Sequence, residues 1–339
     1  MAQSQWASGL QVDRWAKELY HEVNKEIYFK KFMGSSPQSM IQVKNELNGD
    51  AGKKITFGLV ARLSGSGITG DSTLEGNEEA MSTYTDTVTT EMIRNAVRNT
   101  GKFDDSKNLH DFRSESLSIL KTWMAEYIDT EMFTDLSASP TLLLRADASA
   151  SVEPSSRTYT GLAAAKAALA DNDDITLADI SALKQFAVLA PQSHYRLRPI
   201  RVEGNEYFVL LVHPEQAYDL FNDSTWQQAQ REAQMRGDSN PLFKGALGIW
   251  DGVVIHQHEN ITSFTDGGGA SVRGAQALFM GSQAGLFANV GTPMWVEKTF
   301  DYGNQLGVAG GMIYGSAKAS FNSKDFACIT YVSSCSALS

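Results

Sequence analysis

Four groups of residues in this 339-residue chain have types and spacings that can do chemistry, and each implies a different reaction. Gly65-Ser-Gly-Ile-Thr-Gly70 has the spacing of a dinucleotide fingerprint and follows a strand-like run. That fingerprint needs a helix starting at its last glycine, whose N-terminus holds the pyrophosphate. Here Asp71-Ser-Thr-Leu-Glu-Gly76 follows, then a Thr-rich strand pattern, so a loop tip is expected. His256 and His258, with Glu259 beside them, occupy alternate positions of a strand, a geometry that can ligate a metal. No Cys or further His stands near them, and an exposed strand end is the plainer reading. Arg196, Arg198 and Arg201 form a basic cluster able to meet phosphate, although a salt-bridged surface explains it as well. Cys328 and Cys335 would need a partner base for nucleophilic work; reduced structural thiols are expected of a cytoplasmic product. No G-x-S-x-G elbow and no G-x-x-x-x-G-K-[ST] loop occurs. No catalytic residue, cofactor or metal ligand is therefore assigned.

Composition narrows the function classes further. Hydrophobic residues make up 42% and charged residues 20%, an ordinary globular balance. The length makes two domains the default. A net charge of −10 argues against a nucleic-acid binder working by bulk charge, because phosphate neutralisation needs excess Lys and Arg. Met1–Gly9 shows no basic region followed by an apolar run, so no secretory signal is expected. The longest apolar run, Tyr207–Val212, reads as a buried strand too short to span a bilayer.

The elements are organised around a ribbon. Lys54–Leu63 puts Ile55, Phe57, Leu59, Ala61 and Leu63 on one face, and Thr83–Ile93 alternates Thr with Tyr84, Val88 and Met92. Both limbs read as strands, each reaching about 33 Å. Ser64–Asn77 between them is Gly-rich and polar. A lone two-stranded ribbon is marginal in water and has two open edges, so the expected cover is another copy of the same protein. Before the ribbon, Trp6, Trp15 and the Tyr28–Met33 cluster suggest an arm lying on a surface, with a helical cap on the chain's own core as the alternative.

After it, Asp111 can cap a long helix to Thr134, carrying Leu117, Leu120, Met124, Tyr127, Ile128 and Met132 at spacings of three and four. Thr141–Ser156 reads as a crossing between domains. Thr176-Leu-Ala-Asp179 resembles a capping box opening a helix to Leu189, and Pro214 opens another. A further helix is expected over Trp226–Met235, and Asp251-Gly252 signals a tight hairpin within Leu247–His256. Asp266–Gly269 reads as a flexible loop, Ala275–Ala288 as a helix, and Trp295–Val332 as strands rich in Gly and Ser. The alternation implies an α+β fold with two lobes, the chain leaving the first and returning to it.

The order of several short motifs resembles the major capsid proteins of tailed double-stranded-DNA bacteriophages, in the branch typical of several short-tailed phages. They are Gly52-Lys-Lys-Ile-Thr-Phe57, Leu74-Glu-Gly-Asn-Glu-Glu79, Phe112-Arg113 with Leu120-x-x-Trp123, Gly245–Ile255, Phe300-Asp-Tyr-Gly-Asn304 and Gly315-Ser-Ala-Lys318. The resemblance implies the tailed-phage major capsid fold: an N-terminal arm (1–50), an extended β-hairpin loop (51–97), a peripheral domain on a long spine helix (98–158), an axial domain (159–291), and return strands to the peripheral domain (292–339). It implies self-assembly into hexamers and pentamers of an icosahedral shell in the host cytoplasm, around DNA touched only weakly and non-specifically. Scaffolding and portal proteins, and a decoration or cement protein, are the implied partners; no membrane is. A separate scaffold is expected because no long helical segment fits before residue 54. Candidate intersubunit contacts are Trp6, Trp15, Ile55, Phe57, Leu59, Arg62 and Leu74, the carboxylates Glu75, Glu78 and Glu79, and Arg94, Arg98 and Arg113 as their cationic partners. Two rivals stand: another phage structural protein, such as a tail tube or ring, and a metal-dependent soluble enzyme using the His256/His258 region.

Overall fold

The structure is a computed structural model that describes residues 23, 27–45, 53–60, 67–107, 111–148, 157–159, 161–189, 196–202, 204–232, 245–269, 271–291 and 294–335. In chain order its strands are β1 (Met33–Gly34), β2 (Ile41–Lys44), β3 (Lys54–Val60), β4 (Thr83–Thr89), β5 (Glu91–Arg98), β6 (Leu143–Arg145), β7 (Thr158–Tyr159), β8 (Ile200–Val202), β9 (Asn205–Val212) and β10 (Gly248–Trp250). They continue with β11 (Val253–Gln257), β12 (Ser263–Gly267), β13 (Val272–Met280), β14 (Gly285–Asn289), β15 (Met294–Phe300), β16 (Gln305–Lys318), β17 (Ser320–Phe321), β18 (Lys324–Asp325) and β19 (Cys328–Ser334). The architecture is α+β, as the alternation of segments predicts.

One sheet of six strands runs β1-β2-β14-β16-β15, with β5 also on β16. Its axis is β16, which spans fourteen residues and pairs with β5 on one side and with β15 and then β14 on the other. Gly311 and Gly315 share one face of it, since they are four apart on a strand. A Cβ at Gly311 would stand 2.8 Å from the Ile93 carbonyl, so these glycines let neighbouring backbone pass close.

The long helix Phe112–Ser137 lies across this sheet, about 39 Å long. Asp111 caps it by accepting from the Ser114 amide at 3.2 Å. Leu120, Met124, Ile128, Met132 and Leu136 are buried at spacings of four, which is its inward stripe. On the side toward β16, Tyr314 donates to Glu131 and Ser316 to Asp135.

A second sheet of nine strands runs β10-β11-β9-β13-β19-β6-β7, with β12 on β13 and β8 on β9. Here three sequence expectations are corrected. Ala275–Ala288, expected to be helical, instead forms most of β13 and β14. Every residue of β14, and nearly all of β13, is buried, so both faces are apolar and the period that separates strand from helix is erased. Thr141–Ser156 is not merely a crossing: Leu143–Arg145 is a buried strand beside β19. The end of the chain does not return as one piece, because β15 and β16 join the six-stranded sheet while β19 lies between β13 and β6. One contiguous apolar cluster runs through both sheets, including Phe29, Leu286, Phe279 and Tyr331.

Asp266 and Gly267, expected in a flexible loop, instead close strand β12, while three other local signals held. Thr176 and Asp179 exchange side-chain-to-amide bonds (3.3 and 3.1 Å) at the start of helix Leu177–Leu189. Helix Pro214–Asn222 opens with its proline in the first turn, and Asp251 and Gly252 turn the β10–β11 hairpin with φ of 46° and 77°. The segment Tyr28–Lys44 is no surface arm. Phe29, Phe32 and Ile41 are buried, and β2 runs parallel to β14. Trp6 and Trp15 lie outside the described residues.

Candidate assembly surface

The ribbon exists, and its root is covered by its own chain. β3 and β4 pair in register from Lys54↔Thr89 to Val60↔Thr83. Ile55, Phe57 and Leu59 are 3%, 1% and 8% exposed and Val88 1%, which corrects the expectation that this face lacks an intrachain cover. Lys44 Nζ lies 4.9 Å from the Phe57 ring and donates to Thr56 O at 3.0 Å, while the Ser320 amide donates to Asp86 at 2.9 Å. The return limb is also two strands rather than one. It breaks at buried Thr90, whose amide and hydroxyl both donate to Lys53 O, at 2.9 and 3.1 Å. Beyond that hinge β5 leaves the ribbon for the six-stranded sheet.

The tip behaves differently from the root. Of residues 67–82, all but Ile68 are exposed, with Leu74 at 61% and Met81 at 69%. No helix follows Gly70, so the pyrophosphate-binding arrangement is missing from this described stretch. A turn gathers the carboxylates: the Asn77 amide donates to Leu74 O at 3.0 Å and the Gly76 amide to Glu78 at 2.8 Å. Glu75, Glu78 and Glu79 are all exposed there.

The arginines named as their partners are placed elsewhere. Arg113 donates to Glu297 at 2.6 Å, and Arg98 donates to Gln305 and stacks 4.2 Å from the Phe300 centroid. Arg94 is an exposed side chain on β5. Arg62 lies outside the described residues.

A different basic surface stands at the outer end of the ribbon's root. A groove of about 640 Å³ is walled by Leu59, Val60, Val188, Leu197 and Phe326, with Lys184, Arg196, Arg198 and Arg201 along it. Arg196 is anchored through Nε on the Val188 carbonyl at 2.6 Å, and Arg198 sits 5.5 Å from the Phe326 centroid. Lys184 pairs with Asp251 at 2.7 Å and Arg201 with Glu206 at 2.9 Å. The Arg-x-Arg spacing was visible in sequence; the apolar walls, drawn from four distant segments, were not.

The histidine pair is not an exposed strand end. His256 is fully buried, its Nδ1 3.2 Å from Gly245 O, and His258 stacks on Phe133 with centroids 4.6 Å apart. Among the described residues no group of three or more His, Cys, Asp or Glu is placed to hold a metal. No helix among them is long and apolar enough to cross a membrane.

A family model described as phage capsid protein matches residues 4–337 of this fold. The chain belongs to the phage capsid protein family. The major capsid protein of Pseudomonas phage KPP25 is 30% identical over 351 aligned positions, covering 93% of each protein. The capsid structure of Ralstonia phage GP4 superposes with a TM-score of 0.80 at 30% identity, over 100% of this chain and 96% of that one. The capsid of cyanophage Pam1 shares the fold, with a TM-score of 0.77, 21% identity and 99% of each chain covered. This capsid protein is thus a structural component of the virion, a major subunit of an icosahedral phage head, and its family is not enzymatic. The tail-tube and metal-enzyme alternatives fall away with that assignment.

The capsid protein also carries a titratable latch between its N-terminal segment and its long helix. The Asp129 carboxylate accepts from the Tyr28 and Phe29 amides at 2.7 and 3.3 Å. Burial pushes this carboxyl up to about 6, against the lowering effect of those two amides. Lys31 lies 4.0 Å from the Tyr28 centroid and 3.3 Å from His256 Nδ1, and burial brings its amine down to about 8.

Proposed function

We propose that the exposed tip of the ribbon is the element by which this major capsid protein grips a neighbouring subunit. The carrying observation is the contrast along one hairpin: Ile55, Phe57 and Leu59 are buried by their own chain, while Leu74 and Met81 are large apolar side chains left exposed. A folded root that projects an uncovered tip suits a subunit whose tip is buried by assembly. Hexamers and pentamers are the assembly units in this reading. The six-stranded sheet with the long helix acts as the peripheral domain, and the nine-stranded sheet acts as the axial domain. A separate scaffolding protein, a portal and a cement protein complete the particle, which is that of a short-tailed phage, and packaged DNA meets the acidic wall only weakly.

Replacing Ser64–Asn77 with an Asn-Gly turn tests the central claim. A folded, soluble monomer that forms no shells is expected; shells of normal size and yield would overturn it.

A further inference from the structure

The carboxylates of the tip are exposed, and two of the three arginines first considered for them, Arg98 and Arg113, are engaged within their own chain. We infer that the acidic tip segment 74–81 of one subunit seats in the basic groove at the ribbon root of the next copy. This rests on the reading that the tip grips a neighbour, and it names the receiving surface.

Three observations converge. The segment presents Glu75, Glu78 and Glu79 between the exposed apolar side chains of Leu74 and Met81. The groove presents complementary chemistry: Arg196 and Arg198 stand above walls that include Val188 and Phe326, and Arg201 adds a third guanidinium that shares its charge with Glu206 on the same lining. Its guanidiniums are partly pre-placed, Arg196 by its bond to the Val188 carbonyl and Arg198 by its ring contact, so less freedom is lost when a carboxylate arrives.

The occupant comes from another copy. The ladder ends at Val60↔Thr83, and Val60 itself lines the groove, so a tip folding back would lie in its own groove. Instead residues 71–82 are exposed throughout. Tip and groove are also different surfaces of one chain, and a contact between unlike surfaces propagates head to tail and closes into a ring when the rotation allows. That is the contact a ring of capsid subunits needs.

The test uses two charge-reversed full-length chains. One carries Glu75→Lys, Glu78→Lys and Glu79→Lys; the other carries Arg196→Glu, Arg198→Glu and Arg201→Glu. Each alone should need at least about tenfold more protein to form rings or shells, and an equimolar mixture should recover even-numbered rings, in which the two chains alternate and each reversed surface meets its complement. A mixture no better than its components, or a groove-reversed chain that assembles like the native one, overturns the inference. Native assembly with poorer DNA retention in the groove-reversed chain would likewise overturn it, assigning the groove to nucleic-acid phosphate. If the tip replacement abolishes assembly while the groove-reversed chain assembles normally, the groove assignment fails and the tip reading stands.

A second variant covers the case of misfolding. Glu78→Cys with Arg196→Cys alters only two exposed side chains, and the native Cys328 and Cys335 are buried. Oxidised during assembly, it should run without reductant as a ladder at multiples of 37.0 kDa. Monomer alone, whether open or closed by an internal bridge, overturns the inference.

Discussion

A Cβ placed on Gly315 would stand 2.4 Å from the carbonyl oxygen of Thr89. Thr89 ends β4, and Thr90 is the hinge from which the chain turns into β5, so the root of the ribbon crosses β16 at a residue that leaves room. Gly315→Val should therefore destabilise the subunit by about 1–3 kcal/mol through overpacking, and displace the ribbon. Urea unfolding of the unassembled protein checks this; an unchanged midpoint would show that the crossing is slack.

The two ends of the hairpin should respond differently to truncation. Phe57→Ala removes a buried ring and should cost about 3–5 kcal/mol in the isolated subunit. Leu74→Ser changes an exposed side chain and should leave the unfolding midpoint within about 0.5 kcal/mol while weakening assembly. If Leu74→Ser assembled with native yield, the tip would not be an anchor.

Neutralising Glu75, Glu78 and Glu79 to Gln should leave the fold intact and reduce the salt sensitivity of assembly. Each exposed ion pair is worth only about 0–1 kcal/mol, but every subunit contact repeats it. Light scattering across a salt series measures it, and superimposable curves for native and triple-Gln chains would mean that these carboxylates are merely solvated.

The Asp129 latch predicts a pH dependence of known sign. Its carboxyl is raised to about 6 in the folded chain, so the fold favours the protonated form. The stabilisation is fully present below the unfolded value near 4 and is lost as pH rises through about 6. His258 opposes it: burial lowers its imidazole, and stability is lost as pH falls below its unfolded value near 6.5. Comparing the native chain with Asp129→Asn isolates the carboxyl. The native chain should gain on the variant by about 2–3 kcal/mol between pH 7 and pH 4, and a constant difference would refute the latch.

Particles should be held without covalent links between subunits. Ser64–Thr90 contains no Lys, and Lys53 and Lys54 lie at the ribbon's base, about 30 Å short of its far end. Cys328 and Cys335 are both buried, and burial pushes the Cys328 thiol up to about 12, which suppresses the reactive thiolate. Native particles boiled in detergent without reductant should run as one band near 37.0 kDa; a ladder would refute this.

Much of the local structure was decided by the sequence alone. Strand alternation, the Asp111 cap with its spacing of three and four, the Thr176–Asp179 box and the Asp251-Gly252 turn are short-range signals that each carry their own physical cause. The order of the short motifs was enough to point to the family. Other features waited for the tertiary structure. Burial on both faces hid two strands in Ala275–Ala288, since an apolar run without alternation suits helix and strand equally. The root of the ribbon meets Lys44 of β2 at Phe57, and meets β14 and β16 through β4, segments far apart in the chain, and the pairing of Arg113 with Glu297 spans 184 positions. The basic groove likewise gathers Val60, Lys184, Arg196 and Phe326. Periodicity reports which side of an element is apolar; what covers that side, and which charge answers which, is set only when distant segments meet.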